Sequence, residues 1–239
     1  MLGAWLILHA TESLLSARFA AALARCLAAS GKRVLLFDLS PDTPALDVFL
    51  GVDGRVVYTL SDVGKVSPSD VMLTPSEHLF FVPLGVGESI YAEKISACIE
   101  DVKPDAVLLS ATRQTLSLAR ALSDGAILLT DASPIALRAA GALAEIEHFD
   151  GFLLSDFCPR REEIEKMPSL TGMADLLGIP LLGILPQTDL YNTHTVKEKD
   201  FLTAIENIAG RFVGENVSLL RGISLDGVRK ARFFTGISE

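Results

Sequence analysis

Short, unbroken apolar runs alternate along this chain with stretches of helical period, and few folds accommodate that order. The runs are Trp5–Leu8, Arg33–Asp38, Leu79–Leu84, Asp105–Leu109, Ala126–Leu129, Gly151–Leu154 and Leu181–Leu185. A strand that is apolar at nearly every position, and not only at every second one, has both of its faces covered. Between the runs lie segments read as helices: one from Thr11 to Gly31, then Ala45–Gly51, Val56–Val63, Pro68–Met72, Ser89–Val102, Thr115–Ser123, Ser133–Glu147, Leu170–Leu177 and Lys197–Arg211. The order predicts an α/β fold, a doubly wound and mostly parallel sheet of about seven strands with helices on both faces. No repeat, low-complexity tract or long linker divides the sequence, so residues 1–239 are expected to form one domain, with 216–239 set apart as a tail.

Bulk properties narrow the function classes. With 239 residues, 49% of them apolar, one large core is affordable. A net charge of −9 disfavours a nonspecific grip on nucleic acid, which needs a basic face. Cys26, Cys98 and Cys158 are widely spaced and suit reduced cytosolic thiols better than a disulfide frame or a metal site. Mean hydropathy is high, +0.39, yet no apolar run approaches the ~20 residues of a membrane span. The N-terminus lacks the pattern of a secretory signal, so the expected location is the cytoplasm.

The first β-α-β unit, Ala4 to Ser40, is the most informative. In such units the loop after the first strand meets the N-terminus of the following helix, where a phosphate would sit. Here that loop reads His9-Ala10-Thr11-Glu12-Ser13-Leu14-Leu15-Ser16-Ala17, with neither glycine nor lysine. A carboxylate such as Glu12 favours a helix N-terminus and would repel a phosphate.

Three stretches in register carry a family resemblance. Residues 27–38 read LAASGKRVLLFD; Leu46-Asp47, Leu50-Gly51 and Arg55-Val56-Val57-Tyr58 follow; residues 178–186 read GIPLLGILP. Together they resemble the MinD/ParA family of deviant-Walker P-loop ATPases, closest to its MinD branch, from near Met1 to about Pro186. That resemblance implies a P-loop NTPase-like fold. It also implies a phosphate loop of the form K-G-G-x-G-K-[ST], whose amides, lysines and hydroxyl hold nucleotide and magnesium.

The chain departs from that loop almost everywhere. Aligned backward from Gly31, Thr11 stands at the first lysine, Ser16 at the second and Ala17 at the magnesium-binding hydroxyl. Glu12, Ser13 and Leu15 replace glycines, and Leu109, followed by Ser110, occupies the Walker B aspartate position. Asp38 alone matches, at the family's water-orienting aspartate, while Ser40 replaces the motif's second acidic residue. The resemblance therefore implies the fold and partner surfaces and argues against ATPase activity. No catalytic residue, no bound cofactor and no metal are expected, with Asp38 a remnant candidate.

Other constellations are weaker. Gly85-Val86-Gly87 has two glycines of a dinucleotide fingerprint, but Ile90 stands at the third position. His9, Ser13 and Asp38 could form a nucleophile–base–orienter set at strand ends. Asp38, Asp42 and Asp47 read as turn carboxylates before they read as a metal site. Arg221, Arg229, Lys230 and Arg232 interleave with Phe233 and Phe234 in the tail, vaguely similar to the family's membrane-targeting helix, although Gly222, Gly227 and Gly236 weaken it.

The expected function is a MinD/ParA-like pseudo-ATPase, a cytoplasmic scaffold or regulator that positions a protein partner. Septum placement and polar or pilus assembly of the TadZ/CpaE type are the nearest analogies. The alternatives are an active ATPase with a rebuilt loop, using ATP and magnesium, and a binder or enzyme for an unrelated small ligand at the strand ends. Any homodimer is expected to be independent of nucleotide. The tail leaves open contact with the inner face of the membrane.

Overall fold

The structure, a computed structural model, describes residues 2–11, 14–157, 168–187 and 196–219, with the backbone alone for 196–198. Eight strands alternate with helices: β1 Gly3–His9, α1 Leu15–Ala29, β2 Val34–Leu39, α2 Leu46–Leu50, α3 Pro68–Val71, β3 Leu73–Ser76, β4 Leu79–Val82, α4 Ala92–Val102, β5 Ala106–Ala111, α5 Leu116–Ala121, β6 Gly125–Thr130, α6 Pro134–Ile146, β7 Gly151–Phe157, α7 Leu170–Leu177, β8 Leu181–Pro186 and α8 Val196–Phe212. The chain divides into two compact units, Met1–Leu8 with Glu12–Ala126, and His9–Thr11 with Ile127–Glu239.

In the first unit the strands run in the order β3-β4-β2-β5-β1. Pairing is parallel throughout except between β3 and β4. Leu6, Ile7 and Leu8, like Val34 to Phe37 and Leu108 with Leu109, are fully buried at consecutive positions, so both faces of these strands are covered. Phe19, Ala20, Leu23, Ala24 and Leu27 form the buried stripe of α1, which packs on β2, β5 and α2. Gly51, at φ 65°, ends α2 in the left-handed conformation that glycine adopts without strain.

In the second unit β6, β7 and β8 pair in parallel. Ser133 Oγ accepts the Ala136 N–H at 3.2 Å, and Pro134 opens α6, a favourable residue at a first helical position. Ser169 caps α7 in the same way, accepting from Gly172 N at 3.0 Å, and Gly178 closes it. α8 lies on β8.

The α/β class, the parallel pairing and the seven expected strands follow the sequence expectation, and the structure adds one more. The eighth strand, β3, joins β4 antiparallel across a turn in which His78 has φ 63°. Leu73-Thr74-Pro75-Ser76 escapes an apolar-run criterion because it alternates half-buried and exposed positions and carries a proline, as edge strands do. Val56–Val63 is not helical beyond a single 3-10 turn at Leu60–Asp62. There Thr59 and Asp62 form a capping box, which fixes one turn and propagates no further.

Gly125 at the start of β6 sets one of the tighter packing limits. A Cβ there would stand 2.5 Å from Trp5 Cζ3, while Trp5 is held by its Nε1–H donating to Leu2 O at 2.8 Å. Gly125→Ala is expected to lower unfolding stability by about 1–3 kcal/mol, the usual effect of overpacking. Urea denaturation with an unchanged m-value would measure it, and a loss below ~0.5 kcal/mol would show that Trp5 repacks freely.

Candidate functional site

Asp38 lies at the end of β2 with 2% of its surface exposed. Oδ1 accepts the Ser40 N–H at 3.0 Å, and Oδ2 accepts the Ala45 and Leu46 N–H groups, each at 3.0 Å. The carboxylate thereby ties the Ser40–Leu46 turn together and starts α2. Burial raises its pKa to about 6, while the hydrogen bonds from Leu46, Ala45 and Ser40 pull in the opposite direction. The neighbouring acids are engaged separately. Asp42 Oδ2 accepts from Gln114 Nε2 at 2.6 Å, and Asp47 Oδ1 from the Val48 N–H at 2.8 Å. Among the described residues no group of three His, Cys, Asp or Glu side chains could hold a metal ion.

On β5, Leu109 is fully buried opposite Leu6 and Phe37, and Ser110 pairs with Ile7 and Asp38. β5 itself carries no carboxylate. Ser16 and Ala17 fall in the first turn of α1, Ala17 buried; the preceding Leu14 is helical and provides no side-chain cap. Arg18 follows, 5% exposed, and Arg113 is exposed after β5. Glu12 and Ser13 lie outside the described residues, as do Cys158 and residues 220–239 with the basic-aromatic tail.

A second polar cluster lies in the other unit. His9 is 2% exposed, and Ser155 is 1% exposed. Thr11 N–H donates to His9 Nδ1 at 3.2 Å, with Thr11 Oγ1 also 3.2 Å away; His9 Nε2 is 3.3 Å from Ser155 Oγ. Because Nδ1 accepts a main-chain proton, the ring's own proton belongs on Nε2, which donates to Ser155. Burial lowers the His9 pKa to about 4, against a smaller upward pull from Asp131, so the ring is neutral at pH 7. A histidine that donates to the serine does not act as its base. The set assembled here is therefore a buried hydrogen-bond network and not an activated nucleophile. His9 and Ser155 both stand toward the C-terminal ends of their strands, but the 146 residues between them leave their contact to the fold; Ser13, the serine grouped with His9 in sequence, lies outside the described residues.

The Gly85-Val86-Gly87 loop is closed by its own acid. Glu88 accepts the Gly85 N–H at 2.8 Å and the Thr59 hydroxyl at 2.9 Å, and Gly87 N–H donates to Pro41 O at 2.8 Å. The amides that would meet a dinucleotide phosphate thus already have acceptors, one of them a carboxylate.

A domain family described as the CobQ/CobB/MinD/ParA nucleotide binding domain matches residues 18–201, more than half of the chain. The chain belongs to this family. The matched stretch begins one residue beyond Ala17. The septum site-determining protein MinD of Synechocystis is 27% identical over 231 residues, covering 86% of this chain and 85% of that protein. MinD of Thermotoga maritima is 24% identical, covering 81% of each. Among solved structures, the Aquifex aeolicus MinC:MinD cell division complex superposes with a TM-score of 0.76 at 21% identity, over 90% of this chain and 97% of that one. A ParA family ATPase from Chlorobium tepidum gives 0.64 at 16% identity, over 90% and 95%. These likenesses place the fold with the MinD and ParA structures.

Ser16 carries no cation, Ala17 no hydroxyl and Leu109 no carboxylate. Among the described residues no helix is long and apolar enough to cross a membrane.

Proposed function

We propose that this member of the MinD/ParA-like family is a pseudo-ATPase that works as a regulator or scaffold, placing a protein partner without a nucleotide cycle. The observation that carries this reading is the Asp38 carboxylate. Both of its oxygens are occupied by main-chain amides of its own turn. The residue that aligns with the water-orienting aspartate thus has a structural task that needs no ligand. Leu109 and Ala17 support the same reading by their burial and their lack of polar atoms.

The septum-site relatives and the solved MinC:MinD complex favour a protein partner and a role in spatial organisation, in septum placement or in polar or pilus assembly of the TadZ/CpaE type. The test is a thermal-shift screen with ATP, ADP and GTP, each with magnesium. A Tm unchanged by millimolar nucleotide is expected. A shift of several degrees, corresponding to ~2–3 kcal/mol of ligand-linked stabilisation, would return the protein to the active ATPases.

A further inference from the structure

The outer face of α6 has a feature that the nucleotide-site reading neither uses nor requires. Pro134, Arg138, Gly141 and Glu145 line a groove of about 640 Å³ whose other wall includes Pro168 and Leu176. Leu176, 62% exposed, lines the groove, and Ile135 (78%) and Ile146 (72%) are exposed elsewhere on α6. Arg138 and Glu145 are exposed and make no ion pair among the described residues. Large exposed apolar groups ringed by charge mark association surfaces.

The order of residues along α6 indicates what covers the face. Arg138 and Glu145 are seven residues apart, which puts them on one side of the helix about 10 Å apart. Their midpoint falls between Gly141 and Ala142. A Cβ added at Gly141 would meet nothing within 4 Å, so the centre of the face is open to close approach. If two copies of α6 cross antiparallel about that midpoint, Arg138 of each stands opposite Glu145 of the other. One two-fold axis brings together both charge pairs and the small residues at the crossing. Such self-complementarity is what an isologous interface requires.

We propose that the α6 face is a self-association surface and that its occupant is a second copy of this chain, joined antiparallel through α6 with reciprocal Arg138–Glu145 pairs. One helix face with its rim buries less than the ~1,200 Å² typical of stable interfaces, so the dimer is weak.

Sedimentation velocity of the full chain from 5 to 500 µM, with and without ATP and magnesium, tests the proposal. The expected result is a concentration-dependent rise in mass toward the dimer, the same in both buffers. Arg138→Glu and Glu145→Arg should each weaken the association at least tenfold, because symmetry creates two like-charge contacts per dimer. The double variant carrying both substitutions should return to within about threefold of the native chain. Far-UV circular dichroism controls for folding. A chain that stays monomeric at 500 µM overturns the proposal, as does a dimer indifferent to both single substitutions or not recovered in the double variant. A dimer formed only with ATP overturns both this proposal and the pseudo-ATPase reading. A nucleotide-independent monomer overturns this one alone.

Discussion

Calorimetric titration with ATP and magnesium is expected to give no saturable heat below about 1 mM, and phosphate release is expected to match the blank. A phosphate loop holds a triphosphate through converging amides, a lysine and a magnesium ion. Closing amides around phosphate needs glycine where φ is positive or the backbone approaches closely, and residues 9–17 contain none. Each charged hydrogen bond missing from such a site removes about 1.5–3 kcal/mol. With no lysine at Ser16, no hydroxyl at Ala17 and no acid at Leu109, the loss would reach roughly 4–9 kcal/mol if the terms added, which coupled terms seldom do. The lower figure already converts micromolar binding into about millimolar. Arg18 and Arg113 are the cations nearest in sequence to the lost elements. A dissociation constant in the low micromolar range, or turnover abolished by Asp38→Ala, would show that they rebuild the site.

The second large effect is a pH dependence hidden by cancellation. Asp38 titrates near 6 in the folded chain, against 3.8 for a free aspartate. The folded state therefore holds its proton more tightly, and this group's contribution to stability falls as pH rises from about 4 to 6. His9 is the opposite case, near 4 when folded against 6.5 for a free histidine. The unfolded state takes up its proton first, so its contribution falls as pH drops from about 6.5 to 4. Each shift corresponds to about 3 kcal/mol by linkage. The native chain should show little net slope from these two groups between pH 4 and 6.5. Asp38→Asn should unmask a stability that rises with pH across that window, and His9→Gln one that falls. Denaturant melts of the three proteins at half-unit pH steps measure the slopes. Parallel profiles would show that burial does not govern these two groups.

A binding consequence accompanies the geometry of Asp38. Its hydrogen bonds link Ser40, Ala45 and Leu46 into one turn, so a substitution there alters local structure as well as charge. Loss of a partner's binding in Asp38→Ala alone would not locate an interface. Retention of binding would place the partner surface elsewhere in the fold.

Much of the fold was written in the order of residues. Continuous apolar runs such as Val34–Phe37 and Ala126–Leu129 can be buried on both faces only within a covered parallel sheet, so the α/β class was legible from local pattern. Ser133-Pro134 announced a helix start, and Gly51 and Gly178 announced helix ends, because capping depends on neighbours in sequence. The missing glycines and lysines between His9 and Ala17 were equally plain. What the sequence withheld depends on contacts between distant residues. β3 exists because β4 offers Leu73–Ser76 an edge to pair with, not because its own pattern demands a strand. Asp38 stood out only as a remnant candidate and Glu88 not at all, until the folded loops brought main-chain amides to their oxygens. His9 acquired its neutral state and its donor role only when Ser155 and Thr11 closed around the ring. Tertiary structure decided these points because desolvation and hydrogen-bond supply are set by whatever the fold packs against a group.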